Sequence, residues 1–193
     1  MKTFPERFNE IIKKFPYTRS ILKKLDAGNV LYVVGGSAAL YCQGIERAPH
    51  DVDIMFETKQ HALANQLFNI ESTFIERPNV TMYKSSPTND GSVDFLSDYT
   101  VISDSAAYDS QPTHKIFVKV FNTEIALVPA EKIAVFKLIG LREHHYDSKD
   151  ARDILMHPDF DHKLFWSMVN ELKAMRVIEH RLNQFCLSEF TKD

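Results

Sequence analysis

The sequence predicts an α+β fold, with a small mixed β-sheet, flanking helices and a C-terminal helical region. An apolar run, Val30–Val34, ends in the glycine pair Gly35-Gly36, as a buried strand does before a sharp turn. Asp51-Val52-Asp53-Ile54-Met55-Phe56 alternates polar and apolar residues with the period of a half-buried strand. From Pro129 onward the patterning is helical. The predicted organisation is therefore an α/β core with an N-terminal helix over residues 1–128, and a helical region over 129–193 packed on that core.

Taken in order, Thr3-Phe4-Pro5-Glu6 has the form of a capping box with proline near the helix start. Residues 1–24 then combine Lys2, Arg7, Lys13, Lys14, Arg19, Lys23 and Lys24 with apolar Phe8, Ile11, Ile12, Phe15, Ile21 and Leu22, an amphipathic helix pattern. Its basic face is either solvated or a seat for the phosphates of an RNA. After the glycine pair, Ser37 opens a helix that continues through Ala38-Ala39-Leu40-Tyr41. The free N–H groups of such a first turn suit a phosphate, whereas the plainer alternative makes Ser37 an N-cap. Thr58 caps a helix over Lys59–Asn69, and Val80–Lys84 reads as a strand before the turn containing Pro87, Asn89 and Gly91. Ser92–Leu96 is the next strand, and Ser97–Thr113, rich in Ser and Asp, reads as a long loop. Lys115–Val120 and Glu124–Val128 form a hairpin around Asn122-Thr123. Pro129 suits the first turn of a helix whose run from Ile133 to Leu141 is mostly apolar, with Lys137 its lone cation. Lys149, Asp150 and Asp153 open a further helix with Ala151, Ile154 and Leu155 on its apolar face.

The chemistry concentrates in three carboxylates. Period two puts Asp51 and Asp53 on one face of their strand, where two like charges are best tolerated beside a cation. Mg²⁺ takes hard oxygen ligands from one or two carboxylates and completes its shell with phosphate and water. Asp94 lies between apolar neighbours in Ser92–Leu96, so it is either a third ligand or an exposed acid on the outer face of an edge strand. As a ligand it could also take a proton from an attacking hydroxyl. Arg47, four residues ahead of Asp51, adds a cation for phosphate.

Gly35-Gly36-Ser37, Arg47, Asp51-Val52-Asp53 and Asp94, in this order, resemble the signature of the polymerase-beta-like nucleotidyltransferase superfamily. The second half, with Pro129 to Leu138, Arg142, Lys149-Asp150 and Asp153, is similar to the AbiEii-type toxins and their stand-alone bacterial relatives. The resemblance covers Val30 to Leu155. It implies a nucleotidyltransferase core and transfer of an NMP from an NTP, ATP among them, to an acceptor hydroxyl. Asp51, Asp53 and Asp94 would be catalytic and hold Mg²⁺, with Mn²⁺ as the alternative. Gly35, Gly36, Ser37, Arg47, Lys137, Lys149 and Asp150 would bind the nucleotide. The implied acceptor is RNA or protein before a small molecule such as an aminoglycoside, and a toxin-like member would have a cognate antitoxin. The alternatives are a silent nucleotide- or partner-binding protein on the same fold, and a HEPN-type ribonuclease read from Arg152, Asp153 and His157.

Composition fits an enzyme of the cytoplasm. The chain has 193 residues, 44% of them hydrophobic, enough for one sizeable core. Cys42 and Cys186 lie far apart without metal-ligand spacing, and a reducing compartment is expected. No signal-peptide pattern and no membrane-span-length apolar run is present. A net charge of −3 argues against a general nucleic-acid binder. His144-His145 resembles a metal site, but adjacent helical residues diverge and no partner completes it.

Overall fold

The computed structural model describes residues 2–103, 106–110, 114–120, 123–140 and 145–190, with backbone alone at 145–148. The strands are β1 (Val33–Val34), β2 (Val52–Phe56), β3 (Thr73–Arg77), β4 (Val80–Ser85), β5 (Val93–Ser103), β6 (Ala106–Asp109), β7 (Ile116–Val120) and β8 (Thr123–Leu127). The helices are α1 (Phe4–Lys14), α2 (Tyr17–Ala27), α3 (Gly36–Cys42), α4 (Thr58–Phe68), α5 (Ala130–Ile139), α6 (His145–Leu155), α7 (His162–Glu171) and α8 (Met175–Gln184). Among the described residues the strands form one mixed sheet in the order β3-β4-β5-β2-β1-β8-β7, with β6 paired to β5. The fold class is the α+β class the patterning predicts. The chain clusters into two compact units: Met1–Ile75, Met82–Tyr99 and Gln111–Pro129 in the first, and Glu76–Thr81, Thr100–Ser110 and Ala130–Asp193 in the second.

In the first unit β2 pairs antiparallel with β1 and parallel with β5, while β8 runs parallel to β1 and antiparallel to β7. Strand β2 alternates as its sequence dictates: Val52, Ile54 and Phe56 are buried, while Asp53 and Met55 are half-buried on the other face. Phe56 meets Phe95 edge-to-face at 5.0 Å, and Phe95 takes Phe68 of α4 in the same way at 5.3 Å. The N-terminal capping box forms, with Thr3 N–H donating to Glu6 Oε2 at 2.7 Å. The single amphipathic helix expected over residues 1–24 is two helices, α1 and α2, separated at Phe15-Pro16. Phe8 and Ile11 of α1 and Ile21, Leu22 and Leu25 of α2 still supply a buried apolar face.

In the second unit α5 packs against α6, α7 and α8. Its Ala134, Val135, Leu138 and Ile139 are fully enclosed. Asp161 caps α7 by accepting from Lys163 N and Leu164 N, and its own N–H donates to Glu131 Oε1 of α5 at 2.9 Å.

Three further predicted elements change in extent, and one strand, β3, is additional to those predicted. The strand expected over Val30–Val34 is only Val33–Val34, because Val30 N–H caps α2 at Leu25 O and Leu31 N–H turns to the Gln60 side chain. The loop expected over Ser97–Thr113 is largely strand: β5 runs on to Ser103 and pairs antiparallel with β6 from Thr100↔Asp109 to Ser103↔Ala106. Val101 is buried there, so the β-branched run outweighs the Ser and Asp around it. The remainder of that stretch, residues 104–105 and 111–113, lies outside the described residues, as do Asn122 and His144. Strand β3, mostly exposed, carries no buried stripe to announce it. Helix α6 starts at His145, so Lys149, Asp150 and Asp153 lie within it and do not open it.

Candidate active site

The site is built on the turn from β1 into α3. Gly35 N–H donates to Asp53 O at 2.9 Å, which fixes the end of β1 against β2. Gly36 follows with φ +58° as the first residue of α3, and a Cβ there would lie 2.0 Å from Asp53 Oδ2. Glycine is thus required twice, for the left-handed backbone and for the space the carboxylate occupies. Gly35 is the N-cap and Ser37 the second helical residue, so the N-cap alternative for Ser37 does not hold.

The parallel register of β2 and β5 sets Asp53 directly beside Asp94, and Asp51 lies one residue before β2. One carboxylate oxygen from each of Asp51, Asp53 and Asp94 lies within 4.8 Å of the others. Asp51 and Asp53 are half-buried, whereas Asp94 is 4% exposed, so the exposed-edge alternative for Asp94 is excluded. Lys84 Nζ of β4 donates to Asp94 Oδ2 at 2.6 Å. Asp94 Oδ1 is buried with no hydrogen-bond partner.

An unsatisfied buried carboxylate oxygen is costly, and buried polar atoms are seldom left so. Three converging hard oxygen donors, one carrying such an oxygen, fit a divalent cation of the Mg²⁺ or Mn²⁺ kind. Lys84 escapes sequence reading because its partner lies across a strand pair. The available signal was a lysine near the end of a predicted strand, close in sequence to an apolar-flanked aspartate.

Behind the carboxylates, His61 of α4 is buried between two serines, with Nδ1 2.7 Å from Ser97 Oγ and Nε2 3.0 Å from Ser85 Oγ. Ser85 in turn donates to Asn65 Oδ1, and Ser97 Oγ also donates to Asp98 Oδ2 at 3.3 Å, so the imidazole joins two serines that are themselves hydrogen-bonded. Burial holds the imidazole below its ordinary pKa, against a smaller opposing pull from Asp98. Ser86 Oγ donates to Val93 O at 2.8 Å, so both residues after Lys84 are anchored.

Arg47 is half-buried in the segment between α3 and β2. That segment is held from α1: Arg7 is buried, donates to Tyr41 O and pairs with Glu46 at 2.6 Å, and Lys14 donates to Pro49 O. Lys2 pairs with Glu10, which also accepts from the Tyr41 hydroxyl. Of the seven N-terminal cations, Lys2, Arg7 and Lys14 are therefore engaged within the fold, while Lys13, Arg19, Lys23 and Lys24 are exposed.

In the second unit Lys137 Nζ of α5 donates to Asp150 Oδ2 of α6 at 2.7 Å, and Lys149 is exposed. Sequence reasoning gave no separate role to Lys132, the more enclosed lysine of α5. It is 5% exposed, and burial lowers its pKa to about 8 against the opposing charges of Asp109 and Glu171. Arg152 Nη2 donates to Phe185 O, and His157 Nδ1 accepts from Asp159 N, so two residues of the ribonuclease alternative serve local structure.

Among solved structures the chain resembles a Thermotoga maritima protein assigned as a nucleotidyltransferase (TM1012), at TM-score 0.50 and 17% identity, over 85% of this chain and 91% of that one. It also resembles the antibiotic-resistance factor ANT(2'')-Ia, at TM-score 0.51 and 12% identity, over 90% of this chain and 98% of the other. The chain has a nucleotidyltransferase-like fold. No protein-family model matches this sequence, and no curated protein sequence matches it at a significant level. Within this nucleotidyltransferase-like fold, none of the described helices is long and apolar enough to cross a membrane.

Proposed function

We propose that the protein transfers a nucleoside monophosphate from an NTP to an acceptor hydroxyl. The observation that carries this reading is the convergence of Asp51, Asp53 and Asp94, the last with a buried, unpartnered oxygen, beside a glycine turn in which Gly36 has no room for a side chain. Asp51, Asp53 and Asp94 would hold Mg²⁺ or Mn²⁺. A cation bound there would offset the charge that builds up on the phosphates during transfer.

The chain's own residues supply position. The bare main chain at Gly35, Gly36 and Ser37 would receive the triphosphate, and Arg47 would add positive charge. The acceptor oxygen forms its bond to the α-phosphorus as the bridging bond to the β-phosphate breaks, and pyrophosphate departs. The hydroxyl proton leaves to a carboxylate of the set. Such chemistry depends chiefly on positioning and charge neutralisation. The likeness to AbiEii-type toxins favours RNA or protein as acceptor and an antitoxin as partner. Nucleotide contacts by Lys137, Lys149 and Asp150 rest on that likeness alone.

The test is label transfer from each α-³²P NTP with Mg²⁺ or Mn²⁺ into total RNA and cell protein, with Asp53→Ala alongside and γ-labelled ATP as control. Label entering RNA or protein from the α-position, and lost by about 10²–10³-fold in the variant, is the expected result. Label from the γ-position alone would make the protein a phosphotransferase. Absence of transfer with NTP binding retained would make it a nucleotide-binding protein on this fold.

A further inference from the structure

We propose that Lys84 is a positioning residue for the carboxylate set, holding Asp94 through Oδ2 so that Oδ1 is the oxygen presented to a divalent cation. The inference rests on the nucleotidyl-transfer reading of this site. Its basis is the unequal treatment of the two oxygens of one buried carboxylate. Oδ2 receives an ammonium at 2.6 Å, while Oδ1, buried, receives nothing. A lysine kept only to neutralise Asp94 would leave the same oxygen orphaned at a continuing cost. A lysine that orients the carboxylate toward a third party would leave it so by design.

The lysine end of the pair is 42% exposed, so the contact itself adds little stability. The backbone around it is nevertheless tied down. Ser85 is buried in the His61 and Asn65 network, and Ser86 donates to Val93 O, one residue before Asp94. The ammonium therefore reaches Asp94 from a fixed stem. Formal charge agrees with the assignment. Three carboxylates and one lysine leave −2, the complement of a single divalent ion, where the carboxylates alone would leave −3. A hydrogen-bonded partner on the far oxygen of a ligating carboxylate sets its orientation, and losing such a partner weakens metal binding by about 10–100-fold.

Mn²⁺ titration followed by calorimetry and by the Mn²⁺ electron-spin signal tests this without recourse to activity. Wild type, Lys84→Met, Lys84→Gln, Lys84→Arg and Asp53→Asn would be compared, with circular dichroism to confirm folding. Both neutral substitutions should weaken Mn²⁺ binding by about 10-fold or more, and Lys84→Arg should restore most of it. Agreement between the Met and Gln variants separates charge from side-chain packing. Unchanged or tighter Mn²⁺ binding in both neutral variants overturns the role of Lys84 while leaving the metal site intact. A wild type that binds Mn²⁺ no better than Asp53→Asn overturns the site reading itself, and the Lys84 assignment with it.

Discussion

Two adjacent glycines illustrate how differently one added methyl acts. At Gly36 a Cβ would lie 2.0 Å from Asp53 Oδ2, on a backbone at φ +58°. At Gly35 the nearest atom is Met55 Sδ at 2.7 Å, on a flexible thioether that can swing aside. Gly36→Ala should therefore cost about 1–3 kcal/mol in strain and displace Asp53, lowering the transfer rate by about 10²-fold. Gly35→Ala should be the milder of the two. Urea unfolding and the label-transfer rate measure the two effects separately. Equal losses in both variants would mean that the carboxylate contact at Gly36 has no special weight.

Helix α4 is joined to β4 and β5 through one imidazole, and that joint titrates. The native His61 pKa lies below its ordinary 6.5, chiefly through burial. As pH falls through 6.5 the unfolded chain takes up this proton first, so stability drops between 6.5 and the lower native value; above 6.5 nothing is lost. The melting temperature should decrease from about pH 7.5 to about pH 5.5, and His61→Gln should flatten that slope. An identical slope in the variant would assign it to other groups. The same elements show what could be read in advance. Strand β2 is legible because burial follows strict alternation, from Val52 to Phe56, within five residues. The second half of β5 is not, because its Ser and Asp content signals a loop, while the pairing with β6 that makes it a strand is a property of the partner. Lys84 shows the same limit, since its contact with Asp94 exists only once β4 lies next to β5.

Over the whole molecule, the carboxylates are legible as neighbours because two of them share a tripeptide and the third lies in a recognisable strand. The engagement of the N-terminal cations is less so: Arg7, Lys14 and Lys2 look like a free basic face until Glu46, Pro49 and Glu10 are placed beside them. With a net charge of −3 and those cations engaged, binding should depend on the site more than on overall charge. The Mg²⁺–NTP complex, as one ligand at about 100 times its dissociation constant, should stabilise the protein by about 2.7 kcal/mol. For a chain of this size that is a rise in melting temperature of about 5–10 °C. Neither component alone should match it, and Asp53→Asn should abolish it. A shift of equal size in the variant would place nucleotide binding elsewhere.

The pairing of Asp53 with Asp94 has a consequence for how this protein could change length. Those two residues stand forty-one positions apart, yet their alignment depends on a single rung of a parallel ladder. An added residue in the turn between Ser86 and Gly91 can be absorbed as slack. The same addition between Ser92 and Asp94 would shift the frame by one and turn the carboxylate to the opposite face, with the strand itself unharmed. The chain thus carries a geometric reading frame, tolerant of indels in its punctuation and intolerant of them within a word.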